Sequence, residues 1–163
     1  MMYEQQTLEE RFRFVIKDSK SFTTLRFPGH CVSHNPVCSK EYLDCNAVVI
    51  FNGHLCGVSH YNLKGIQPYY YLDKLLENLN GTSTKGLSAV VMGGDPLHFE
   101  LITKILGDRE IPIIGNHGDG CMEEMISSGL IDVSAMKKDL VAIPSTKEVI
   151  MYSQHSGYKQ LAP

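Results

Sequence analysis

Cys45-Asn46-Ala47-Val48-Val49-Ile50-Phe51-Asn52-Gly53-His54-Leu55-Cys56-Gly57-Val58-Ser59-His60 is the stretch that decides the fold. Its first half, Cys45–Phe51, is a strand by its β-branched and aromatic content. Asn52-Gly53 is the dipeptide favoured in a two-residue type I′ turn. His54–His60 is the returning strand. Both faces are largely apolar, as in a hairpin held inside a covered sheet. A two-residue loop sets Phe51 opposite His54. Each opposed couple in an antiparallel pair keeps the same total of residue numbers, so Cys45 falls opposite His60. Directly opposed Cβ atoms lie about 4.5–5.5 Å apart, within reach of a thiol–imidazole contact. The couple sits at the open end of the hairpin, where a substrate can approach.

That couple is what nucleophilic cysteine catalysis requires. A free thiol has a pKa of about 8.5 and is mostly protonated at neutral pH; an adjacent imidazole can take its proton. A third group should then fix the imidazole. Ser39, in the segment preceding the strand, offers a hydroxyl for that purpose. The competing reading is structural, because cysteine is among the most buried residue types. Cys56, on the same face, reads as simple core.

Working outward, Thr7 and Glu10 fit a capping box opening a helix, while Arg11–Ile16 also alternates like a strand; both readings stand. Residues 27–44, with Pro28, Gly29 and Pro36, read as an ordered loop or a short edge segment. Downstream, Gln67-Pro68 opens a helix to about Asn80, carrying Leu72, Leu75, Leu76 and Leu79 at helical spacing. The Tyr69-Tyr70-Tyr71 trio reads as its packing surface. Leu87–Met92 is a buried strand closed by Gly93-Gly94, and Asp95-Pro96 caps a helix to about Leu106. Ile111–Ile114 is a short strand, Gly115–Gly120 a glycine-rich loop and Cys121–Ser128 a helix. Leu140–Ile143 and Glu148–Tyr152 are the last strands. The class is α/β (α+β), a mixed sheet with flanking helices. It reads as one domain over residues 1–152, with 153–163 a polar, flexible tail.

Composition narrows the function. The 163 residues are 43% hydrophobic and 20% charged, enough for one cored domain without disulfides or metal. The formal net charge is −3 and no Lys/Arg run exceeds two residues, so nothing predicts a nucleic-acid groove. Cys31, Cys38, Cys45, Cys56 and Cys121 are odd in number, as in a reducing compartment. The polar N-terminus does not resemble a secretory signal, and no apolar run is long enough to span a bilayer. Cytoplasmic residence is expected, or export by a route without an N-terminal signal. His30, Cys31, His34 and Cys38, and separately His117, Asp119 and Cys121, offer metal-ligand types. Neither set has the paired spacing of structural zinc. Gly115–Gly120 lacks the lysine of a P-loop and reads as a strand-to-helix turn.

Asp44-Cys45-Asn46-Ala47-Val48-Val49-Ile50, followed by Gly57-Val58-Ser59-His60-Tyr61-Asn62-Leu63, resembles the two core motifs of the CheD-like chemoreceptor glutamine deamidases. The likeness continues through Tyr70–Leu79, Leu87–Phe99 with its Gly93-Gly94 pair, Ile114-Gly115 and the final strands. It spans about residues 37–152, leaving 1–36 unmatched. The Cys–His spacing is similar to that in the catalytic domain of cytotoxic necrotizing factor-type toxins. Glu41-Tyr42-Leu43-Asp44 replaces the small-residue turn before the family cysteine. The resemblance implies CheD-like β-sheet layers around a central Cys–His hairpin. It implies Cys45 as nucleophile, His60 as base and acid, and Ser39, where the family has threonine, as orienter. It implies no cofactor and no metal. The implied partner is a protein bearing an exposed glutamine, either a chemoreceptor or a host protein. The alternative is a non-catalytic interaction module on the same fold.

Overall fold

The computed structural model describes residues 7–17, 23–43, 45–62, 68–80, 85–118, 129 and 133–162. Its α-helices among the described residues are α1 (Leu8–Lys17), α2 (Pro68–Asn80) and α3 (Pro96–Asp108). Its strands are β1 (Thr23–Leu25), β2 (Gly29–Ser33), β3 (Val37–Tyr42), β4 (Ala47–Asn52), β5 (Leu55–His60), β6 (Leu87–Met92), β7 (Ile113–His117), β8 (Lys138–Ile143), β9 (Glu148–Ser153) and β10 (Gly157–Ala162).

The strands form two five-stranded mixed sheets, β1-β3-β8-β9-β10 and β2-β5-β4-β6-β7. One parallel pair occurs in each, β1 with β3 and β6 with β7. The inner faces meet in a core of Val49, Phe51, Val58 and Met92 from one sheet and Val37, Leu140, Ala142 and Met151 from the other. A second core joins Val48, Ile50, Ala89 and Val91 to Leu72, Leu75 and Ile102 of the helices α2 and α3. A third places Phe12 and Val15 of α1 on Cys38, Val141 and Ile150. The order of layers is therefore helix, sheet, sheet, helices. The central strand β4 is apolar on both faces because both are covered.

The N-terminal ambiguity resolves as helix. Thr7 N–H donates to the Glu10 carboxylate (2.9 Å), and Glu10 N–H donates to Thr7 Oγ1 (3.2 Å). Phe12 and Val15 then share one face toward the sheet, which strand alternation would have split. Asp95 likewise caps α3, its carboxylate accepting Leu97 N–H at 2.8 Å.

Several expectations are corrected. Of the two readings of 27–44, the short edge segment holds for β2, which lies at a sheet edge, whereas β3 is a strand inside the other sheet. Of the 153–163 stretch, residues 153–162 are not a flexible tail, because β10 pairs with β9 from Gly157↔Ser153 onward. Tyr158 packs there edge-on against Phe12 and tilted against Tyr152, which supplies burial that its polar neighbours do not advertise. Residues 115–117 of the expected glycine loop belong to β7. Gly115 is there because β10 passes over it, where a Cβ would collide with the Leu161 carbonyl. Gly115→Ala should lower the unfolding free energy by about 2 kcal/mol in urea titration, the scale of overpacking; an unchanged midpoint would show that the two strands can part freely. The expected helix over Cys121–Ser128 lies outside the described residues.

Candidate active site

The hairpin is present, but its turn is displaced by one residue. Asn52 pairs with Leu55 and Phe51 with Cys56, so Gly53-His54 is the loop. Gly53 has φ 57° while His54 is not among the positive-φ residues, the pattern of a type II′ turn with glycine first. Moving a turn by one residue moves every pairing by two. His60 therefore lies across from Ala47, not Cys45, and the Asn46↔Tyr61 bridge continues that register. Because side chains alternate with period two, Cys45 stays on the face that carries His60. The two are diagonal neighbours and line the same cleft.

The imidazole is fixed from both sides by β3. Ser39 Oγ donates its one hydrogen to the Leu25 carbonyl (3.0 Å) and lies 3.0 Å from His60 Nδ1. The hydroxyl can then only accept at its second contact, so Nδ1 carries the proton. Nε2 of the neutral ring is left with its lone pair. That nitrogen is buried and has no hydrogen-bond partner among the described residues, although buried polar atoms in proteins are nearly always paired. Tyr42 stacks on the ring, centroids 3.6 Å apart and planes 14° from parallel. Its own hydroxyl is held by the Ser59 carbonyl at 2.9 Å.

Ser39 and Tyr42 would point to opposite faces of a regular strand. They reach one imidazole because β3 is bulged between them: its register with β8 shifts between Ser39 and Tyr42. Glu41, at φ 65°, is turned outward, and its N–H is held by the Asp139 carboxylate at 3.1 Å. Tyr42 was not singled out in the sequence. Only the bulge makes it a neighbour of His60, and neither Lys40 nor Glu41 signals a bulge.

His60 is 1% exposed, and burial lowers its pKa from 6.5 to about 4. The ring is therefore neutral at pH 7. Burial pushes the Cys31 and Cys38 thiols up to about 11 and Cys56 up to about 12. Cys45 differs in lining a cleft of about 530 Å³, bounded by Leu25, Arg26, Phe27, Lys40, Glu41 and Leu43 among others. Phe27 forms a lip, half exposed, with its ring centroid 5.3 Å from that of His60. Next to Cys45, the fully buried Asn46 donates through Nδ2 to the Gly93 carbonyl. Gly93 and Gly94 both have positive φ, and a Cβ on Gly94 would strike the Asn46 amide. The glycine pair is thus a seat for the residue beside the cysteine.

The cysteine and histidine set of the metal reading is dispersed. His30 bonds through Nδ1 to Tyr61 Oη (2.7 Å), whereas Cys31 packs on the inter-sheet core and Cys38 under α1. Of the other set, Asp119 and Cys121 lie outside the described residues. No described helix is long and apolar enough to cross a membrane.

No family model matches the chain, and no curated protein does. Among solved structures, it is similar to the Bacillus licheniformis hypothetical protein YfiH, at 12% identity and TM-score 0.40, over 56% of this chain and 50% of that one. It is also similar to the Neisseria meningitidis protein NMB0706, of the DUF152 family, at 10% identity and TM-score 0.44, over 68% of each chain. The matched region thus spans half of the YfiH chain.

Proposed function

We propose that the chain is a cysteine-dependent protein-glutamine deamidase, with Cys45 as nucleophile, His60 as base and acid, and Ser39 as orienter. The observation that carries the reading is the imidazole itself. It is clamped by Ser39 at Nδ1 and stacked on Tyr42, with an unpartnered Nε2 in a chain whose cleft also takes in Cys45. The resemblance of the hairpin to CheD-like motifs supplies the reaction class.

In the first step His60 Nε2 takes the thiol proton as Cys45 Sγ attacks the carboxamide carbon of a glutamine. The tetrahedral intermediate collapses to a thioester as the imidazolium protonates the leaving nitrogen, releasing ammonia. His60 then draws a proton from water, which attacks the thioester and restores the thiol. The product is glutamate. The charged intermediate of the cycle is an imidazolium in a buried place, and the face of Tyr42 offsets part of that cost through its negative π cloud. An open cleft with a Phe27 lip suits a side-chain amide presented on an exposed loop of a target protein.

The direct test compares lysates treated with the wild-type protein and with Cys45→Ala. Peptide mapping should find glutamine-to-glutamate conversion with the first alone. Equal conversion in both, or none in either across bacterial and animal lysates, removes the reading. A thiol probe gives a second test. In a Cys121→Ser background at neutral pH, Cys45 should label ahead of Cys31, Cys38 and Cys56, whose thiols burial keeps protonated. Uniform labelling would favour an interaction module.

A further inference from the structure

A second cavity, of about 230 Å³, shares no lining residue with the Cys45 cleft. It is lined by His117 at the end of β7, Lys138 at the start of β8, and Ser153, His155, Ser156 and Lys159 of the β9–β10 hairpin. Lys138 is opposed in register by Tyr42 on one side and Ser153 on the other. Opposed residues share a face, so its side chain enters the inter-sheet side, where it is 2% exposed. Its ammonium donates to the Met136 carbonyl at 3.3 Å. At the mouth, His155 and Lys159 are exposed, and His155 is tied back by its N–H to the Ala135 carbonyl (3.0 Å). The Ser153 hydroxyl accepts Ser156 N–H at 2.9 Å, which leaves its hydrogen to donate.

We propose that this cavity is a binding site for a phosphate group. Two lysines, two histidines and two serines line it from β7, β8 and the β9–β10 hairpin, and no described Asp or Glu does. Donors arriving from several directions match an anion with three or four acceptor oxygens. A planar carboxylate is best met by the arginine fork, and no arginine among the described residues lines the cavity. The volume admits a phosphate with a small organic substituent. The site makes no use of Cys45, His60 or Ser39 and stands whether or not those residues perform catalysis.

The test is calorimetric titration of the intact protein with inorganic phosphate and, separately, with O-phosphoserine, each at constant ionic strength. Saturable binding with a raised Tm is expected. The double variant His155→Ala/Lys159→Ala, altered only at the exposed mouth, should bind about tenfold more weakly, the loss of one charge-assisted contact or more. Its Tm without ligand should equal that of the wild type. Tighter binding of phosphoserine would identify a phosphomonoester as the ligand, and tighter binding of phosphate the free ion. Absence of saturation with either probe, or equal affinity in the double variant, would overturn the proposal.

Discussion

Cys45→Ala should reduce glutamine-to-glutamate conversion by at least about a thousandfold, and His60→Ala by a similar factor, since a nucleophile and its base act as one unit. Both substitutions remove atoms at the cleft without leaving a buried charge, so cooperative unfolding and the circular dichroism spectrum should be retained. Ser39→Ala is the more discriminating variant. It removes the acceptor of the Nδ1 proton while Tyr42 still holds the ring plane. The imidazole can then place its proton on Nε2, which is the wrong tautomer for accepting one from a thiol. The expected loss is about ten- to a hundredfold, within the range of general-base contributions. It should fall on kcat more than on KM. Tyr42→Leu should act in the same direction by removing the aromatic face. An active Cys45→Ala protein would place the chemistry on another residue.

What made this site legible was local. The β-branched run of β4 and the asparagine–glycine pair after it announced a hairpin, and the hairpin brought a cysteine and a histidine to one face. Its register is open to a one-residue error in the turn, because glycine can serve either central position of a two-residue loop, and sequence does not distinguish I′ from II′ when asparagine precedes it. The error moved the pairing by two residues, so it left the face unchanged; a one-residue slip would have separated Cys45 from His60 altogether. Ser39 was reached through its hydroxyl and a family resemblance. The strand that carries it is not legible, because Val37–Tyr42 shows no alternation: Val37, Cys38 and Ser39 are all buried, covered on both faces, and the bulge follows at Lys40 and Glu41. Tyr42 and the Phe27 lip depend on long-range packing between β1, β3 and β5, which no window of sequence contains. The same holds for β10, whose burial comes from Phe12 near the opposite end of the chain.

The buried imidazole also fixes how stability should respond to acid. The unfolded chain protonates His60 near its ordinary pKa of 6.5, whereas the folded protein does so only near 4. Above pH 6.5 neither state carries this proton and the full folding free energy is present. Between those values the unfolded state binds a proton that the native state refuses, so stability must fall as pH falls. The slope approaches about 1.4 kcal/mol per pH unit and the total loss is about 3 kcal/mol. Urea unfolding at pH 7 and pH 4.5 should show this loss in the wild type. His60→Gln carries no titrating group there, so its difference between the two pH values should shrink by most of that amount, even though its stability at pH 7 is lower. The contrast between slopes separates titration of His60 from any packing defect the variant introduces. At the other extreme Cys31, Cys38 and Cys56 act with opposite sign. Their folded values of about 11, 11 and 12 lie above the ordinary thiol value of 9.0, so stability falls as pH rises past 9. If His60→Gln kept the wild-type acid slope, His60 would titrate near 6.5 in the folded state as well, and burial would not be what holds the ring neutral.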